Sequence, residues 1–340
     1  MNITLKEIAE EAGVSTMTVS NVINRKNAKV SQETKERILE IIKKHNYSPN
    51  MNARALSSKH SKLIGVLYFS QNEVLDFSNP FVAEVLSGIE KKARAFGYFI
   101  LVNHFKEPED LILLQSNWNF DGFIIIGLMS DKFELFNQNI KIPTVYVDTI
   151  LQNDTLKRTF EQRKDVYFIL THDRKLARKA TQHQLELGHT KIGFLTYDID
   201  MNVPSVIIER YKGYQDMMGD LPVHLIPYKE GTNISLLYDK IKDYTALVVT
   251  ADILAADVAF MLKERKKSIS LVGFDDIKIS KYMSPSLSTI RIDQTKKGEL
   301  ALEKIGNQLK KEAKESDIIF LDGELIVRES SFKVIGDEQF

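Results

Sequence analysis

The spacing of apolar residues changes near residue 62 of this 340-residue chain. Before that point apolar residues recur every three or four positions, which is the period of one helix face. After it, short runs of consecutive apolar residues alternate with stretches of helical period. Such runs are typical of strands buried on both faces of a parallel sheet. The pattern predicts an all-α N-terminal segment, here called the head, and a larger α/β body.

Seven apolar runs of the body are candidate strands. They are LIGVLYF (63–69), YFILVNHF (98–105), DGFIIIGL (121–128), PTVYVDT (143–149), KIGFLTY (191–197), ALVVTA (246–251) and ISLVGFDD (269–276). Helical stripes such as PFVAEVLSGIEKKARAFG lie between them. This alternation indicates two open parallel sheets or one barrel, and open sheets bind ligands at the carboxyl ends of their strands.

The segment LKEIAEEAGVSTMTVSNVIN, residues 5–24, predicts two short helices joined by a turn. Gly13 can adopt the positive φ that ends the first helix, and Ser15 can cap the second. Two such helices with a short Gly-containing turn form a helix-turn-helix. The side chains predicted to fill the angle between the helices are Ile8, Val14, Val19 and Val22.

A third helix is predicted in SQETKERILEIIKKHNY, residues 31–47. Ser31 can cap it, and Glu33 in the first turn suits the positive end of the helix dipole. Its inward-facing stripe is predicted to consist of Ile38, Leu39, Ile41 and Ile42.

The start of the second helix carries side chains suited to DNA. In a DNA-binding helix-turn-helix, that end enters the major groove. The hydroxyls of Ser15, Thr16 and Thr18 can bond to phosphates or bases. Met17 can contact a thymine methyl group, and Asn21 can pair with adenine. The alternative interpretation is a plain helical hairpin with a polar outer face.

Residues 47–62, YSPNMNARALSSKHSK, fit a helix of barely two turns that begins near Pro49. A helix this short is not expected to be stable alone in water, so it would need DNA or a twin helix as a partner. Leu56 would then be an exposed wedge of the kind that unstacks a base step from the minor groove. The alternative is a solvated linker whose Leu56 rests on the body.

Charge and composition narrow the function classes. The net charge is zero, but residues 1–60 hold ten Lys or Arg against six Glu, so the basic head weakly favours nucleic-acid binding. Cysteine is absent, which excludes disulfides and thiolate chemistry. No signal-like segment opens the chain, and no apolar run approaches the ~20 residues that span a bilayer. We expect a cytoplasmic protein without membrane association.

Polar residues stand where body strands are predicted to end. Asp148 follows PTVYV, Asp252 follows ALVVTA, and Asp275 follows ISLVGF. Asn79 opens the first helix of the body. Bland interpretations exist for each, since Asn79 and Asp252 are good N-caps, acids at strand ends are often solvated, and Arg210 could be half of a weak surface ion pair.

Enzymatic signatures are missing from the sequence. It contains no Walker loop, no Gly-rich dinucleotide fingerprint, no G-x-S-x-G and no H-E-x-x-H. His172, Asp173, His183 and His189 lie close in sequence, but we assign them to solvent-facing sides of helices rather than to a metal site. We therefore predict no enzyme activity, no metal and no cofactor. The alternatives are a cytoplasmic sugar-binding or sugar-processing protein with an accessory DNA-binding head, and a solute-binding protein for transport.

The head resembles the DNA-binding domain of the LacI/GalR family of bacterial transcription regulators. The resemblance is carried by ITLKEIAEEAGVSTMTVSNVIN and YSPNMNARALSS. It implies that residues 50–58 form a hinge helix that folds only when two protomers sit on an operator. Leu56 would occupy the place of the intercalating leucine, and Ala53 that of the small residue that contacts minor-groove bases.

The same resemblance places Thr16, Met17 and Asn21 on base-reading positions. The family commonly has Arg where Asn21 stands, so the operator preference at that base is expected to differ. Asn24, Thr34 and Tyr47 would contact phosphates or backbone. The predicted DNA-binding residues are Thr4, Leu5, Ser15, Thr16, Met17, Thr18, Ser20, Asn21, Asn24, Thr34, Tyr47, Asn50, Ala53 and Leu56.

The body resembles the periplasmic-binding-protein-like type I fold, in which two Rossmann-like lobes joined by three crossovers enclose an effector. Arg210 matches the family's R-x-x-G pattern, and Asp275 matches its effector-binding Asp in VGFDD. An Arg and a carboxylate in one cleft suit a sugar or sugar phosphate. Ala251 departs from the family's usual Asn, and Asn233 from an aromatic wall. The predicted effector-binding residues are Asn79, Phe81, Asp148, Arg210, Asn233, Asp252 and Asp275.

The resemblance covers essentially the whole chain and implies three segments. These are a helix-turn-helix DNA-binding domain (1–48), a hinge helix and linker (49–61), and an effector-binding and dimerisation domain (62–340). It implies a transcription regulator, most often a repressor, that binds double-stranded operator DNA. A homodimer is expected because two heads on two half-sites mirror a two-fold operator. Some members of the family also use a protein co-regulator. No apolar heptads follow the last strand, so no coiled-coil tetramerisation tail is expected.

Overall fold

In the computed structural model the chain forms two units, Met1–Ser61 and Lys62–Phe340. The structure describes residues 3–23, 30–47, 60–69, 76–310, 312 and 315–334. The predicted hinge helix with Asn50, Ala53 and Leu56 lies outside these residues, and so does Asn24. None of the helices in the described ranges is long and apolar enough to cross a membrane.

The described residues of the head form three helices, and each begins at a capping side chain. They are α1 (Leu5–Ala12), α2 (Thr16–Ile23) and α3 (Gln32–Lys44). Thr4 caps α1 in a reciprocal capping box with Glu7. Ser15 Oγ accepts a hydrogen bond from the Thr18 amide at 3.1 Å, and Ser31 Oγ accepts one from the Thr34 amide at 3.2 Å. The caps predicted at Ser15 and Ser31 are therefore confirmed, and the helix-turn-helix with them.

The core of the head lies where the three helices meet. Its buried side chains are Ile8, Ala9, Ala12, Val19, Val22, Ile38 and Ile41. One predicted core position is wrong, because Leu39 is 45% exposed. Ile38, Ile41 and Ile42 share one helix face at spacings of three and four, whereas Leu39 is turned away from Ile41 and towards solvent. Gly13 follows α1 with a φ of 63°, as the turn requires.

The first lobe of the body is a six-stranded sheet in the order β11-β5-β4-β3-β1-β2, and every pairing is parallel. Apolar clusters cover both of its faces. Its strands are β1 (Leu63–Phe69), β2 (Phe99–Phe105), β3 (Gly122–Ile126), β4 (Thr144–Val147), β5 (Val166–Thr171) and β11 (Asp317–Leu321). Its helices are α4 (Pro80–Phe96), α5 (Pro108–Asn117), α6 (Phe133–Asn137), α7 (Asn153–Gln162) and α12 (Gln294–Leu309).

The second lobe has a sheet in the order β12-β10-β9-β8-β6-β7, in which only the pairing of β12 with β10 is antiparallel. Its strands are β6 (Ile192–Tyr197), β7 (Leu225–Tyr228), β8 (Ala246–Val249), β9 (Ser270–Asp275), β10 (Ser288–Ile292) and β12 (Gly323–Ile326). Its α-helices are α8 (Asp173–Glu186), α9 (Val206–Met218), α10 (Tyr238–Ile241) and α11 (Asp252–Glu264). Two open sheets are thus present, and the barrel alternative is wrong.

Three short segments carry the chain between the lobes. They lie between β5 and α8, between β10 and α12, and between β11 and β12. After the second of them, α12 returns to the first lobe and packs closely on α4. A Cβ atom at Gly88 would lie 1.9 Å from the Thr295 carbonyl oxygen, and one at Gly298 would lie 2.0 Å from that of Val85. The two glycines let the helix backbones touch, which brings the start of α12 beside the middle of α4.

Candidate functional site

A cavity of about 300 Å³ lies in the body where strands of both sheets end. Gly127 follows β3 and Asp148 follows β4 in the first lobe, while Thr250 follows β8 and Asp275 ends β9 in the second. The carboxyl ends of parallel strands are where open α/β sheets bind ligands. The volume is at the lower end of the range of roughly 300–1,000 Å³ for ligand pockets, which suits a small molecule.

Arg210, on α9, is the central cation of this cavity and is 6% exposed. Its Nε donates to Asp173 Oδ1 at 2.7 Å, and its Nη1 donates to the Thr250 carbonyl oxygen at 2.6 Å. Its Nη2 lies 3.8 Å from Asp275 Oδ1, and its guanidinium stacks on the Phe274 ring. Burial raises the pKa of Asp173 and of Asp275, although the positive charge of Arg210 opposes both shifts.

A second buried cation binds a carboxylate on the first-lobe side of the cavity. Lys297, on α12, is 1% exposed, and its Nζ donates to both carboxylate oxygens of Asp148 at 2.8 Å. Asp148 itself has a φ of 57°, which ends β4 and turns its carboxylate towards the cavity. Charge-assisted bonds of this length to a buried partner fix the carboxylate in one orientation.

The opposite carboxylate, that of Asp275, stands on an unusual backbone. Its φ is 108°, a backbone conformation that residues other than glycine rarely adopt. Such conformations tend to occur at functional sites. Its Oδ1 accepts a hydrogen bond from Gln294 Nε2 at 3.2 Å. Gln294 belongs to the first lobe and Asp275 to the second, so this bond joins the lobes at the cavity.

On the head, the side chains predicted to contact DNA lie mainly at the start of α2. Thr16 and Met17 are exposed, and Met17 has 68% of its surface accessible. Asn21 lies one turn later and is partly buried. The hydroxyls of Thr18 and Thr34 are already hydrogen-bonded to their capping serines. The side chains of Thr16 and Met17 are therefore accessible at the start of α2, and that of Asn21 is partly accessible one turn later.

Comparison with known proteins agrees with both units. Residues 4–50 match the profile described as bacterial regulatory proteins of the lacI family, and residues 61–236 match that of periplasmic binding proteins and the sugar binding domain of the LacI family. Residues 181–331 match a periplasmic binding protein-like domain. The chain belongs to the LacI family. The resemblance found in the sequence is thereby confirmed.

Among curated LacI-family relatives, the HTH-type transcriptional regulator MalR of Clostridium butyricum is 30% identical, over 97% of this chain and 99% of its own length. The HTH-type transcriptional repressor PurR of Photobacterium profundum is 26% identical, over 96% and 98%. Both are transcription regulators. The Lac repressor dimer bound to operator and the anti-inducer ONPF has the same fold, with a TM-score of 0.79, 21% identity, and coverage of 98% of this chain and 100% of its own.

Five of the seven residues predicted to bind effector in this LacI-family body lie together at the cavity. Asn79 and Phe81 begin α4, and the Asn79 side chain also caps that helix by accepting from the Phe81 amide at 3.0 Å. The cap predicted at Asn79 is thus confirmed, and the same residue also lines the cavity. The other three are Asp148, Arg210 and Asp275.

Two predicted effector residues do not line the cavity. Asn233 is exposed, and its side chain caps a short 3₁₀ turn by accepting from the Ser235 amide at 2.9 Å. Asp252 is fully buried, and its carboxylate accepts hydrogen bonds from Thr289, Ser280 and the Ile277 amide. Asp252 is also not an N-cap, since α11 begins with it and Ala251 holds the cap position. Its role is to fasten the segment after β9.

Three site residues, Asp173, Gln294 and Lys297, were not among the predicted effector residues. Asp173 was assigned to a solvent-facing helix side, yet it is 2% exposed and is the partner of Arg210. His189, assigned likewise, is buried and bonded to the Phe332 carbonyl. Lys297 and Gln294 lie in RIDQTKKGEL, a polar segment in which no site residue was predicted from the sequence. A signal was available for Asp173, because a buried Arg needs a buried carboxylate.

The burial of Asp252 predicts a pH-dependent stability. Burial raises the pKa of Asp252 from 3.8 to about 7, and the negative charge of Asp275 adds to the shift. Between about pH 4 and pH 7 the folded state therefore binds this proton more tightly than the unfolded state. The contribution of Asp252 to the free energy of unfolding should therefore fall as pH rises from about 4 to about 7, and it should stay constant above pH 7.

The measurement is urea unfolding of the wild-type protein and of Asp252→Asn at several pH values. The difference between their free energies of unfolding should become less favourable to the wild type from pH 4 to pH 7. A difference that stays constant or increases with pH would show that Asp252 is ionised in the folded protein throughout.

Proposed function

We propose that this LacI-family protein is a repressor whose affinity for operator DNA is controlled by a small polyhydroxylated ligand bound in the 300 Å³ cavity. The observation that carries the proposal is the buried Arg210 placed between Asp173 and Asp275 at that cavity. A guanidinium donates to hydroxyl oxygens, and carboxylates accept from hydroxyl groups, so one sugar ring can be held from both sides.

The charges at the cavity favour a neutral sugar over a sugar phosphate. Two cations, Arg210 and Lys297, face three carboxylates, Asp148, Asp173 and Asp275. Each cation is already bonded to a carboxylate, so the described residues offer no surplus positive charge for a phosphate. Burying an additional dianion beside these acids would be strongly unfavourable.

Ligand binding would control DNA binding through the angle between the lobes. Asp148 and Phe81 belong to the first lobe, while Arg210 and Asp275 belong to the second. A ligand that bonds to both sides favours the lobe arrangement in which all these groups converge. If operator DNA favours a different arrangement, ligand and DNA must weaken each other by the same factor.

The proposal includes the three-segment organisation expected from the sequence. Residues 1–48 would bind DNA, residues 49–61 would form the hinge helix of a homodimer, and residues 62–340 would bind ligand and the second protomer. Support for the hinge comes from the sequence alone, through Pro49, Ala53 and Leu56. Support for the first segment includes the exposed start of α2.

DNA binding is tested with Asn21→Ala in the full chain. A DNA site is first selected from random double-stranded sequences with the wild-type protein. Loss of an Asn–adenine pair should weaken binding to that site by about 1–3 kcal/mol, which is roughly 5- to 150-fold. Gln32→Ala, a change at an exposed position of α3, serves as the control and should leave affinity unchanged. Equal affinity of Asn21→Ala and wild type would remove Asn21 from the base-reading surface.

The ligand class is tested by thermal shift of the full chain with pairs of neutral and phosphorylated sugars, such as ribose with ribose 5-phosphate and glucose with glucose 6-phosphate. A neutral sugar at one hundred times its Kd should stabilise the folded state by about 2.7 kcal/mol, which raises Tm. Greater stabilisation by a phosphorylated sugar than by its neutral parent would contradict the charge argument. The proposal that the head binds DNA does not depend on that outcome.

A further inference from the structure

A second and larger cavity, of about 690 Å³, lies beside the first. Asp173 lines this second cavity, whereas its partner Arg210 lines the first. The ion pair between them, at 2.7 Å, therefore separates two cavities. Both lobes form the walls of the second cavity. Leu151 and Leu156 belong to the first lobe, and the first turns of α8 belong to the second.

The inner walls of the second cavity are apolar. They are formed by Ile150, Leu151, Leu156, Phe168, Leu170 and Ile318. At the edge of the cavity, the Phe320 ring stacks flat on the His172 ring, with centroids 4.7 Å apart and an interplanar angle of 8°. Phe320 is nevertheless 48% exposed. These walls could bury a sizeable apolar group, which is the usual source of affinity in small-molecule sites.

Three polar atoms at this cavity are unpaired. Within the described residues, Thr149 Oγ1, Thr171 Oγ1 and Asp173 Oδ2 are buried and have no hydrogen-bond partner. All three residues line the second cavity, and Asp173 is 2% exposed. Buried polar atoms are rarely left without a partner in folded proteins. Asp173 Oδ2 requires a donor, and the two hydroxyls can accept or donate.

Cations near the second cavity do not call for an anionic ligand. Arg174 and Arg178 both bond to Asp216, at 2.7 Å and 2.6 Å. Lys175 is paired with Asp322 at 2.9 Å. Each of these cations is therefore already paired with a carboxylate of the protein, and Arg174 and Arg178 share one.

We propose that the second cavity is a ligand site, separate from the effector cavity, for a neutral and largely apolar molecule that carries a hydroxyl or amino donor, such as an aromatic alcohol. The donor group satisfies Asp173 and the threonine hydroxyls, and the apolar part fills the space among the leucines and Phe168. Because both lobes contribute to its walls, the occupant stabilises one angle between them. Its binding is therefore coupled to ligand binding in the first cavity, and each ligand changes the affinity of the other by the same factor.

The test uses the full chain and the probe 4-phenyl-1-butanol, with Kd measured by ligand-detected NMR. Binding should saturate in the millimolar range. The matched hydrocarbon butylbenzene, which has no hydroxyl donor, should bind about fivefold more weakly, as expected for the loss of one net hydrogen bond.

Two variants test whether the probe binds in the second cavity. Phe320→Ser removes the exposed aromatic wall and should weaken binding at least tenfold. Phe99→Ser is the matched control, since Phe99 is 60% exposed on β2 at the opposite edge of the same sheet. That change should leave the Kd for the probe as it is in the wild type.

Thr171→Val adds a test of the unpaired hydroxyls. It keeps the shape of the side chain and should bring the Kd for the alcohol towards that for butylbenzene, without lowering the Tm of the unliganded protein. Three results would each overturn the proposal: no saturable binding of the alcohol, equal binding by Phe320→Ser and wild type, or equal binding of alcohol and hydrocarbon.

Discussion

Replacing Arg210 by Met is expected to destabilise the body by about 3–5 kcal/mol, because it leaves buried carboxylates without their cation. Arg210 is 6% exposed and bonds to Asp173, which is 2% exposed. Asp275 would lose the same cation. Met keeps most of the side-chain volume, so the loss comes from charge and hydrogen bonds rather than from an empty space. The measurement is the free energy of unfolding in urea.

The destabilisation should depend on pH with a definite sign. Burial already raises the pKa of Asp173 and of Asp275 in the wild type. Without the guanidinium these pKa values rise further, so the folded variant binds protons more tightly than the unfolded one over a wider pH range. The stability gap between Arg210→Met and wild type should therefore shrink as pH falls.

A matched control for Arg210→Met is Arg158→Met. Arg158 also pairs with an acid, Glu134, at 2.7 Å, but the side chains are 60% and 67% exposed. An ion pair in solvent contributes about 0–1 kcal/mol, so this change should be nearly neutral. Arg210→Met should also abolish the ligand-induced rise in Tm, whereas Arg158→Met should preserve it. A normal ligand response of Arg210→Met would mean that the effector binds elsewhere.

Most of the strands that could be predicted from the sequence lie in the middle of the sheets, although β2, at an edge of the first sheet, was predicted as well. Runs such as FIII in β3 and LVGF in β9 are apolar throughout because both sheet faces are covered. β7, β11 and β12 were missed because they lie at sheet edges. β7 contains Pro227, which an edge strand tolerates and a central strand does not. Two strands inside the sheets, β5 and β10, were also missed, although VYFILT in β5 is buried at every position.

The site was predictable to the extent that function and local structure use the same residues. Asn79 was found because N-caps have a recognisable sequence, and Arg210 and Asp275 because they stand in motifs of a known family. Lys297 was not found, since a buried lysine looks like a surface lysine until its partner is known. Asp148 is 149 residues away in sequence. The packing of α12 on β4, which Asp148 follows, brings the two together in the fold.

Replacing Lys297 by Met is expected to destabilise the body by about 3–5 kcal/mol as well. Lys297 is 1% exposed, and both of its hydrogen bonds to Asp148 are 2.8 Å long. Without the ammonium group, the Asp148 carboxylate would lie near two other acids, Asp173 and Asp275. Of the two buried cations at the cavity, Arg210 alone would then remain to compensate the three negative charges. Ligand affinity should fall too, because Asp148 would no longer be held in one orientation.

The double variant Lys297→Met/Asp148→Asn separates loss of the ion pair from loss of packing. Asp148 has a φ of 57°, and Asn adopts this conformation readily, so the second change should not strain the backbone. It removes the unpaired charge, and the double variant should therefore be more stable than Lys297→Met alone. The coupling energy from the four free energies of unfolding should lie within about 0.5–3 kcal/mol. If the effects of the two single changes on the free energy of unfolding were simply additive, Lys297 would stabilise the protein through packing on α4. The position of the Asp148 carboxylate at the cavity would then be set by the backbone turn after β4.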